Sequence, residues 1–308
     1  VLQFKKDKSK IELVSENKKW RKSMKRKTIE REVSLSGTGL HKGEKIELTL
    51  KPNGDDSKTG RGIIFKRVDV TDKDNIIKVD YKNLFDLERG TNIKNEADVR
   101  VHTIEHFMSS LSVSGITDII VEINGNELPI LDGSSIQFME KLEEAGIKEL
   151  ESEIEPVVIT EPVIFTQEKD GKHVLALPYD GFKISYTIDF NHSFLKSQYF
   201  EIDVNSEEYI EKIARCRTFA FDYEIDFLKK NNLALGGSLE NAIVVGKDGP
   251  LNPEGLRYPD EFVRHKILDI IGDFYVLGRP IKAHVIAIKA GHFVNAKLTA
   301  LIAEKYLK

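Results

Sequence analysis

The sequence predicts an α+β protein of two similar halves, each combining strands with helices, and a site where the halves meet. The chain has 308 residues, which suggests about two domains of ~150 residues each. Short strand-like runs alternate with amphipathic helical runs. The order of helix, glycine, buried strand and glycine turn also occurs twice, with helix-ending glycines at Gly115 and Gly278. Such halves predict a site between them, because pockets are common at domain interfaces.

The overall composition excludes several classes of protein. Hydrophobic residues make up 40% of the chain and charged residues 31%, and the net charge of −4 gives no indication of a nucleic-acid partner. No apolar run reaches the ~18 residues of a membrane span, and no apolar signal-peptide core lies near the start. The single cysteine, Cys216, excludes an intrachain disulfide and fits a reducing, cytoplasmic location.

Residues 1–27 form a strongly basic lead segment. They carry eleven Lys or Arg against three acids, a net +8, so the rest of the chain carries −12. This composition predicts a disordered N-terminal extension, with Met24 as a candidate natural start. Deleting residues 1–23 is expected to leave the melting temperature and the activity unchanged, and a clear loss of stability would contradict this. A basic arm for an acidic partner or a membrane surface stays open as the alternative.

The first half is predicted over residues 28–151. From Ile29 it reads as short strands, among them "KIELTL", and its glycines form neither a dinucleotide-binding pattern nor a P-loop. An apolar stripe from Ile104 to Leu111 predicts a helix over 98–114 that stops at Gly115. The strand "TDIIVEIN" and the helix "SIQFMEKLEEAG" follow. The charged, proline-ended "IKELESEIEP" then marks the boundary to the second half.

The second half is predicted over residues 152–308. Strands are expected in "VVITEPVIFTQ", "HVLALPY" and "FKISYTIDF", and helices in "SEEYIEKIA" and "DYEIDFLKKNN". A longer helix over "PDEFVRHKILDIIGDFYVLG" ends at Gly278. The buried strand "IKAHVIAIKAG" follows it and leads to a glycine turn.

The stretch "VHTIEHFMSS" places His102, Glu105 and His106 within five residues. This is the H-x-x-E-H pattern of inverzincin-type zinc peptidases. In a helix the two histidines are one turn apart and can share a metal ion. A zinc peptidase is therefore one function that the sequence allows.

A second pattern lies in "RHKILDIIGD". His265, Asp269 and Asp273 follow one another at four-residue steps on the helix face opposite the apolar one. Imidazole and carboxylate are ordinary zinc ligands, and a hydrolytic site adds a third ligand and a nearby carboxylate base. Glu105 and His106 in "TIEH" can supply both, and His292 in "KAGHF" can serve as a general acid. The alternatives are a polar outer face for the helix and a solvated side chain for His292.

Seven motifs taken in order resemble the bacterial UDP-3-O-acyl-N-acetylglucosamine deacetylases, the zinc amidohydrolases of lipid A (lipopolysaccharide) synthesis. The resemblance runs from about Thr28 to the end of the chain. The motifs are "SGTGLHKGE", "TIEH", "GNELPILDGSS", "RTFAFDYEI", "LGGSLENAIV", "NPEGLRYPDEFVRHKILDIIGD" and "KAGHFVNAKL".

The resemblance implies a role for each matching residue. It implies one Zn²⁺ per chain, or Fe²⁺ in the cell, held by His106, His265 and Asp269. It implies Glu105 as general base, His292 as general acid beside Asp273, and Thr218 as a stabiliser of the oxyanion. Residues expected to contact the UDP-3-O-acyl-N-acetylglucosamine substrate are Lys266, Phe219, Lys289, Gly291 and His41.

The resemblance also implies a fold of two similar two-layer α/β sandwiches, each with a sheet, two helices and a small insert. The second insert holds the acyl chain and is expected within 190–217, although ordinary packing explains its apolar residues equally well. A cytoplasmic, monomeric bacterial enzyme that releases acetate is expected. The zinc peptidase explains only the pentapeptide, and a non-catalytic sugar-nucleotide-binding protein would need no metal.

Overall fold

A computed structural model describes residues 22–307. Its six helices are α1 (Glu105–Ser114), α2 (Ile136–Ala145), α3 (Ser206–Lys212), α4 (Asp222–Lys230), α5 (Glu261–Tyr275) and α6 (His292–Tyr306). Its strands are β1 (Met24–Ile29), β2 (Val33–Thr38), β3 (Lys45–Pro52), β4 (Ile63–Arg67), β5 (Ile76–Lys78), β6 (Leu84–Phe85), β7 (Asn92–Lys94), β8 (Arg100–Val101), β9 (Ile119–Ile123), β10 (Ile147–Ile154), β11 (Val157–Val158), β12 (Val163–Gln167), β13 (Lys172–Leu177), β14 (Phe182–Asp189), β15 (Ser197–Asp203), β16 (Phe219–Phe221), β17 (Ile243–Gly246), β18 (Gly249–Pro250) and β19 (Ile281–Ile288). None of these helices has both the length and the apolar character of a membrane span.

Two main sheets share one topology. The first has the strand order β2-β3-β9-β4-β5 and the second β12-β13-β19-β14-β15. In both, the third and fourth strands of this order are parallel and the other neighbours antiparallel. Each sheet covers one of two hydrophobic clusters. The predicted α+β class of two similar halves is confirmed.

The inserts occupy equivalent places in the two halves. The small sheet β6-β7-β8 lies between β5 and α1 in the chain, and the small sheet β16-β17-β18 lies between β15 and α5. Helix α1 then leads to β9 and α2, as α5 leads to β19 and α6. The second insert therefore falls at 219–250, later in the chain than the predicted 190–217.

Two predicted boundaries need correction. Strand β1 begins at Met24 and pairs with β10, so residues 24–27 belong to the folded structure and not to the predicted extension. Residues 1–21 lie outside the described part of the chain. The predicted boundary between residues 151 and 152 falls inside β10, and the second sheet is first reached at Val157, where β11 pairs with β19.

Helices α1 and α5 join the two halves, and their close approach depends on Gly272. A Cβ atom at this position would lie 2.0 Å from the backbone oxygen of Glu105 at the start of α1. Real Cβ contacts are never that short, so any larger residue would push the helices apart. The absence of a side chain at one position thus brings the polar face of α5 against the first turn of α1.

Gly272→Ala is expected to lower the free energy of unfolding by about 1–3 kcal/mol, the usual cost of overpacking a core. The obstacle is backbone, which cannot rotate away as a flexible side chain would. Chemical denaturation measures the effect. Lys297→Ala, at an exposed position on α6, is the control and should stay within about 0.5 kcal/mol of the wild type. A Gly272→Ala protein as stable as this control would show that the helices have room to move.

Candidate metal centre and active site

Three predicted ligands meet at the contact between α1 and α5. His106 is the second residue of α1, and His265 and Asp269 are one turn apart on α5. One donor atom from each of the three lies within 4.8 Å of the others, and all three side chains are buried. The structure thus brings together residues more than 150 positions apart in the chain into a group that can bind a metal ion.

The hydrogen bonds around this trio leave donor atoms for a cation. Asp269 Oδ1 lies 3.5 Å from His106 Nε2 and 3.3 Å from His265 Nε2, yet it has no hydrogen-bond partner in the described chain. His265 Nδ1 donates to the backbone oxygen of Cys216 at 3.0 Å, so the lone pair of this imidazole is on Nε2. A buried orphan carboxylate oxygen beside two imidazoles fits a divalent transition-metal ion.

The charges at the trio favour the ligating forms. Burial lowers the pKa of His265 to about 3, so the imidazole is neutral and able to bind a metal ion. Burial would raise the pKa of Asp269, but the Lys266 ammonium beside it holds that pKa well below its usual value. Lys266 Nζ donates to Asp269 Oδ2 at 2.7 Å. One carboxylate oxygen is therefore occupied, and the other faces the histidines.

His102 lies apart from this group. The predicted helix over 98–114 begins only at Glu105, because Thr103 has a φ of 57°, a left-handed conformation that cannot continue a helix. His102 therefore precedes the helix, and its ring packs against Phe85 with 5.3 Å between centroids. The helical His102/His106 pair on which the peptidase interpretation depends is absent from the described chain.

Glu105 is buried beside the trio. Its Oε2 accepts the backbone N–H of Thr91 at 2.9 Å, and its Oε1 lies 4.0 Å from His292 Nε2. Burial raises the pKa of this carboxyl. A carboxylate with a raised pKa takes up a proton more readily than a solvated one, as a general base near neutral pH must.

His292 is the first residue of α6, whereas the sequence predicted only a turn there. Its Nδ1 lies 3.1 Å from both oxygens of Asp273, and its Nε2 lies 4.0 Å from Asp269 Oδ2. Burial alone would lower the pKa of His292, but the Asp273 carboxylate, helped by Glu105 and Asp269, raises it to about 9. The imidazole is thus held in its cationic form with Nε2 directed to the trio.

A cavity of about 490 Å³ opens next to the trio. Its walls include five residues predicted to stabilise or bind the substrate: Thr218, Phe219, Lys266, Gly291 and His41. In the part of the chain that the structure describes, Lys289 does not line the cavity. Its Nζ lies 3.3 Å from Asp189 Oδ2 instead. Lys266 Nζ lies 5.7 Å from the centre of the Phe219 ring.

Most of the apolar wall of the cavity comes from the second insert and the residue that follows it, through Phe219, Ile225, Leu228, Leu239, Val244 and Leu251. Leu40 and Ile130 of the first half also line the cavity. Within the described chain, no residue of 190–217 lines the cavity. Leu195 and Ile213 belong instead to the core beneath the second sheet. For these two side chains the alternative interpretation, ordinary packing, is the right one.

Sequence reasoning missed several residues that support the site. Asn295 Nδ2 donates to Asp273 Oδ2 at 2.8 Å, and the Thr91 hydroxyl donates to Asp273 Oδ1. Asn295 lies three residues after His292 on one helix face, so recognising α6 would have pointed to it. Thr91 has no comparable signal, because it reaches Asp273 only through the tertiary fold.

Comparison with known proteins agrees with the motifs. The family model of UDP-3-O-acyl N-acetylglycosamine deacetylase matches residues 26–304. Proteins named UDP-3-O-acyl-N-acetylglucosamine deacetylase from Neisseria meningitidis serogroup C and Neisseria gonorrhoeae are each 43% identical over 286 residues, covering 92% of this chain and 91% of theirs. One of the same name from Idiomarina loihiensis is 42% identical over 288 residues, with the same coverage. The chain therefore belongs to the UDP-3-O-acyl N-acetylglycosamine deacetylase family.

Proposed function

We propose that the protein hydrolyses the N-acetyl group of UDP-3-O-acyl-N-acetylglucosamine, releasing acetate in an early committed step of bacterial lipid A synthesis. The observation that carries this proposal is the buried His106–His265–Asp269 trio, with Glu105 and His292 beside it at the cavity. A metal-dependent amide hydrolase uses these parts: a metal ion, a base for water and an acid for the amine. The family supplies the substrate class.

The three residues of the trio would hold one Zn²⁺, and Fe²⁺ suits the same ligands. When bound, such an ion lowers the pKa of a coordinated water and polarises a carbonyl oxygen. His106 is the ligand that comes from the first half of the chain, and His265 and Asp269 are the ligands that come from the second half. The hydrogen bond from His265 Nδ1 to Cys216 and the ion pair of Asp269 with Lys266 orient two of the ligands.

Glu105 acts as the general base that takes a proton from the attacking water. The Thr91 N–H donates a hydrogen bond to Oε2, so Oε1, on the side of His292, is the oxygen that can accept the proton. Burial favours the protonated product of that transfer. Proton transfer of this kind contributes on the order of 100-fold or more to the rate of an enzyme.

His292 acts as the general acid that protonates the leaving amine, since an unprotonated amine is a poor leaving group. Its position at the N-terminus of α6 disfavours a cation, because helix dipoles are positive at that end. The Asp273 carboxylate at 3.1 Å offsets this effect and keeps the imidazole protonated. Asp273 thus orients the acid and charges it.

The remaining side chains bind and stabilise the substrate. Thr218 lines the cavity and would donate to the oxyanion, an interaction worth about 3–4 kcal/mol for a well-placed donor. Lys266 offers a cation to the diphosphate, and Phe219 offers an apolar surface to the hexosamine. Lys289, which lies 3.3 Å from Asp189 outside the cavity walls, would have to leave that partner to reach the diphosphate. Gly291 and His41 complete the polar walls. We place the acyl chain along the apolar wall formed by residues 219–251.

The general acid leads to a prediction about pH. The active form of His292 is the cation, which is lost as pH rises through its pKa, so kcat/KM should fall on the alkaline side at or below about pH 9. A divalent ion held by the trio would repel the imidazolium and so reduce this rise in pKa. Asp273→Asn removes the charge that raises the pKa and should move the alkaline fall to lower pH. An unchanged alkaline limb in this variant, with metal still bound, would contradict the role of Asp273.

The test of the function is acetate release from UDP-3-O-acyl-N-acetylglucosamine by protein of measured metal content. Activity should rise in proportion to bound metal and disappear with a chelator. A protein that binds the substrate without releasing acetate would be a sugar-nucleotide-binding protein, and cleavage of peptides instead would support a peptidase. A cytoplasmic location and a monomeric state stay predictions, which fractionation and sedimentation can check.

A further inference from the structure

Thr91 touches three of the proposed catalytic groups, but the mechanism above uses only its backbone N–H and gives its side chain no role. It is 2% exposed and lies just before β7 in the first insert. Its backbone N–H donates to Glu105 Oε2 at 2.9 Å, and its hydroxyl donates to Asp273 Oδ1. Its Oγ1 also lies 3.4 Å from His292 Nδ1. Thr91 is not among the residues that line the cavity.

The hydroxyl completes the hydrogen bonding of Asp273. The two carboxylate oxygens accept from Thr91, from Asn295 Nδ2 at 2.8 Å and from His292 Nδ1 at 3.1 Å. Three donors from two separate segments, the first insert and helix α6, fix the plane of the carboxylate. Without the hydroxyl, Oδ1 keeps only the imidazole as a partner, and the carboxylate and imidazole can rotate together. The direction of His292 Nε2 therefore depends on Thr91.

The segment that carries Thr91 is itself tied to Glu105. The backbone oxygen of Thr91 accepts the N–H of Ile104 at 3.0 Å, and Asn92 Oδ1 accepts the N–H of Thr103 at 3.0 Å. A Cβ atom at Gly90 would lie 3.1 Å from Glu105 Oε1. The segment 90–92 therefore follows the start of α1 closely, and any shift of Glu105 relative to this segment breaks hydrogen bonds.

We propose that Thr91 is a positioning residue that sets the geometry between the base Glu105 and the acid pair His292–Asp273. Its main chain holds the base and its side chain holds the acid pair, which keeps Glu105 Oε1 and His292 Nε2 4.0 Å apart. This inference rests on the proposed function. Thr91 acts in turnover through its neighbours, and binding of metal and substrate does not depend on it.

The test compares Thr91→Val, which removes the hydroxyl at nearly constant volume, with Thr91→Ser, which keeps it. Thr91→Val should lose about 10–100-fold in kcat, the scale of lost outer-shell hydrogen bonds, while KM and metal content stay near wild type. Thr91→Ser should recover most of the rate. Equal kcat in Thr91→Val and wild type, or equal loss in Thr91→Ser and Thr91→Val, would overturn the proposal. Thr91→Ala replaces Thr91→Val in this comparison if the valine variant does not fold.

Two controls separate positioning from general stability. Thr28 is equally buried, and its hydroxyl accepts the Asn53 N–H at 2.9 Å, far from the site in the chain. Thr28→Val should lower the melting temperature yet leave kcat unchanged. In a His292→Ala background, Thr91→Val should lower kcat little further, because the imidazole that Thr91 positions is gone. If Thr91→Val lowered kcat in this background by as much as it does in the wild type, the proposal would be overturned. Absence of acetate release by the wild type would instead sink the proposed function itself.

Discussion

Asp269→Ala and His265→Ala will each purify with far less than one zinc per chain, whereas His102→Ala will retain close to one. Each of the first two changes removes one of three ligands, so affinity should fall by more than the ~10–100-fold that loss of an outer-shell partner costs. His102 precedes helix α1 and packs on Phe85, away from His265 and Asp269. It therefore has no part in the trio.

Elemental analysis of the folded variants, dialysed against the same zinc buffer, decides whether His102 or the pair His265 and Asp269 holds the metal. Circular dichroism should first show that each variant is folded, because Asp269 and His265 are buried. Asp269→Asn is a gentler variant that keeps the volume and one oxygen but removes the charge. The assignment is falsified if His102→Ala empties the site while Asp269→Ala keeps its zinc.

Glu105→Ala and His292→Ala will keep their metal and lose at least ~100-fold in turnover, the usual contribution of a general base or acid. Neither side chain belongs to the trio, although both lie beside it. Glu105→Gln removes the proton acceptor but keeps an oxygen for the Thr91 N–H. It should match Glu105→Ala in rate and exceed it in stability, because the hydrogen bond to the buried amide survives.

Metal content and turnover measured on the same preparations separate ligands from acid–base groups. Loss of zinc in either variant would make that residue a ligand and leave the reaction without its proposed base or acid. Lys297→Ala, on the exposed face of the helix that carries His292, is the control and should keep full turnover. A loss of less than tenfold in His292→Ala would mean that another group protonates the amine.

The site was predictable where its residues share a helix face. His265, Asp269 and Asp273 recur every four residues on α5, and this spacing survives folding because the helix is regular. Residue spacing could not show which part of the chain packs against this face of α5. Both histidines of "VHTIEH" have helical spacing, and only the left-handed Thr103 excludes His102 from the helix. Family motifs led to His106 before the geometry was known.

The missed features depend on contacts between distant segments. Strand β1 looked like part of a basic tail because its lysines face solvent, yet it pairs with β10 more than 100 residues later. The second insert was misplaced because the apolar residues of 190–217 resemble a lipid lining, although Leu195 and Ile213 are core residues. Gly272 and Thr91 matter through atoms that approach them from other parts of the chain.

The shared strand order of the two halves makes the candidate site a contact between equivalent elements. If each half is regarded as a subunit, α1 and α5 correspond to each other, and they are in contact. In a symmetric dimer the same patch of both subunits meets itself, so the two sides of such a contact carry identical side chains. Within one chain the two sides can differ. Here α1 carries Glu105 and His106, whereas α5 carries His265, Asp269 and Asp273, so a contact with approximate two-fold symmetry holds an asymmetric set of side chains.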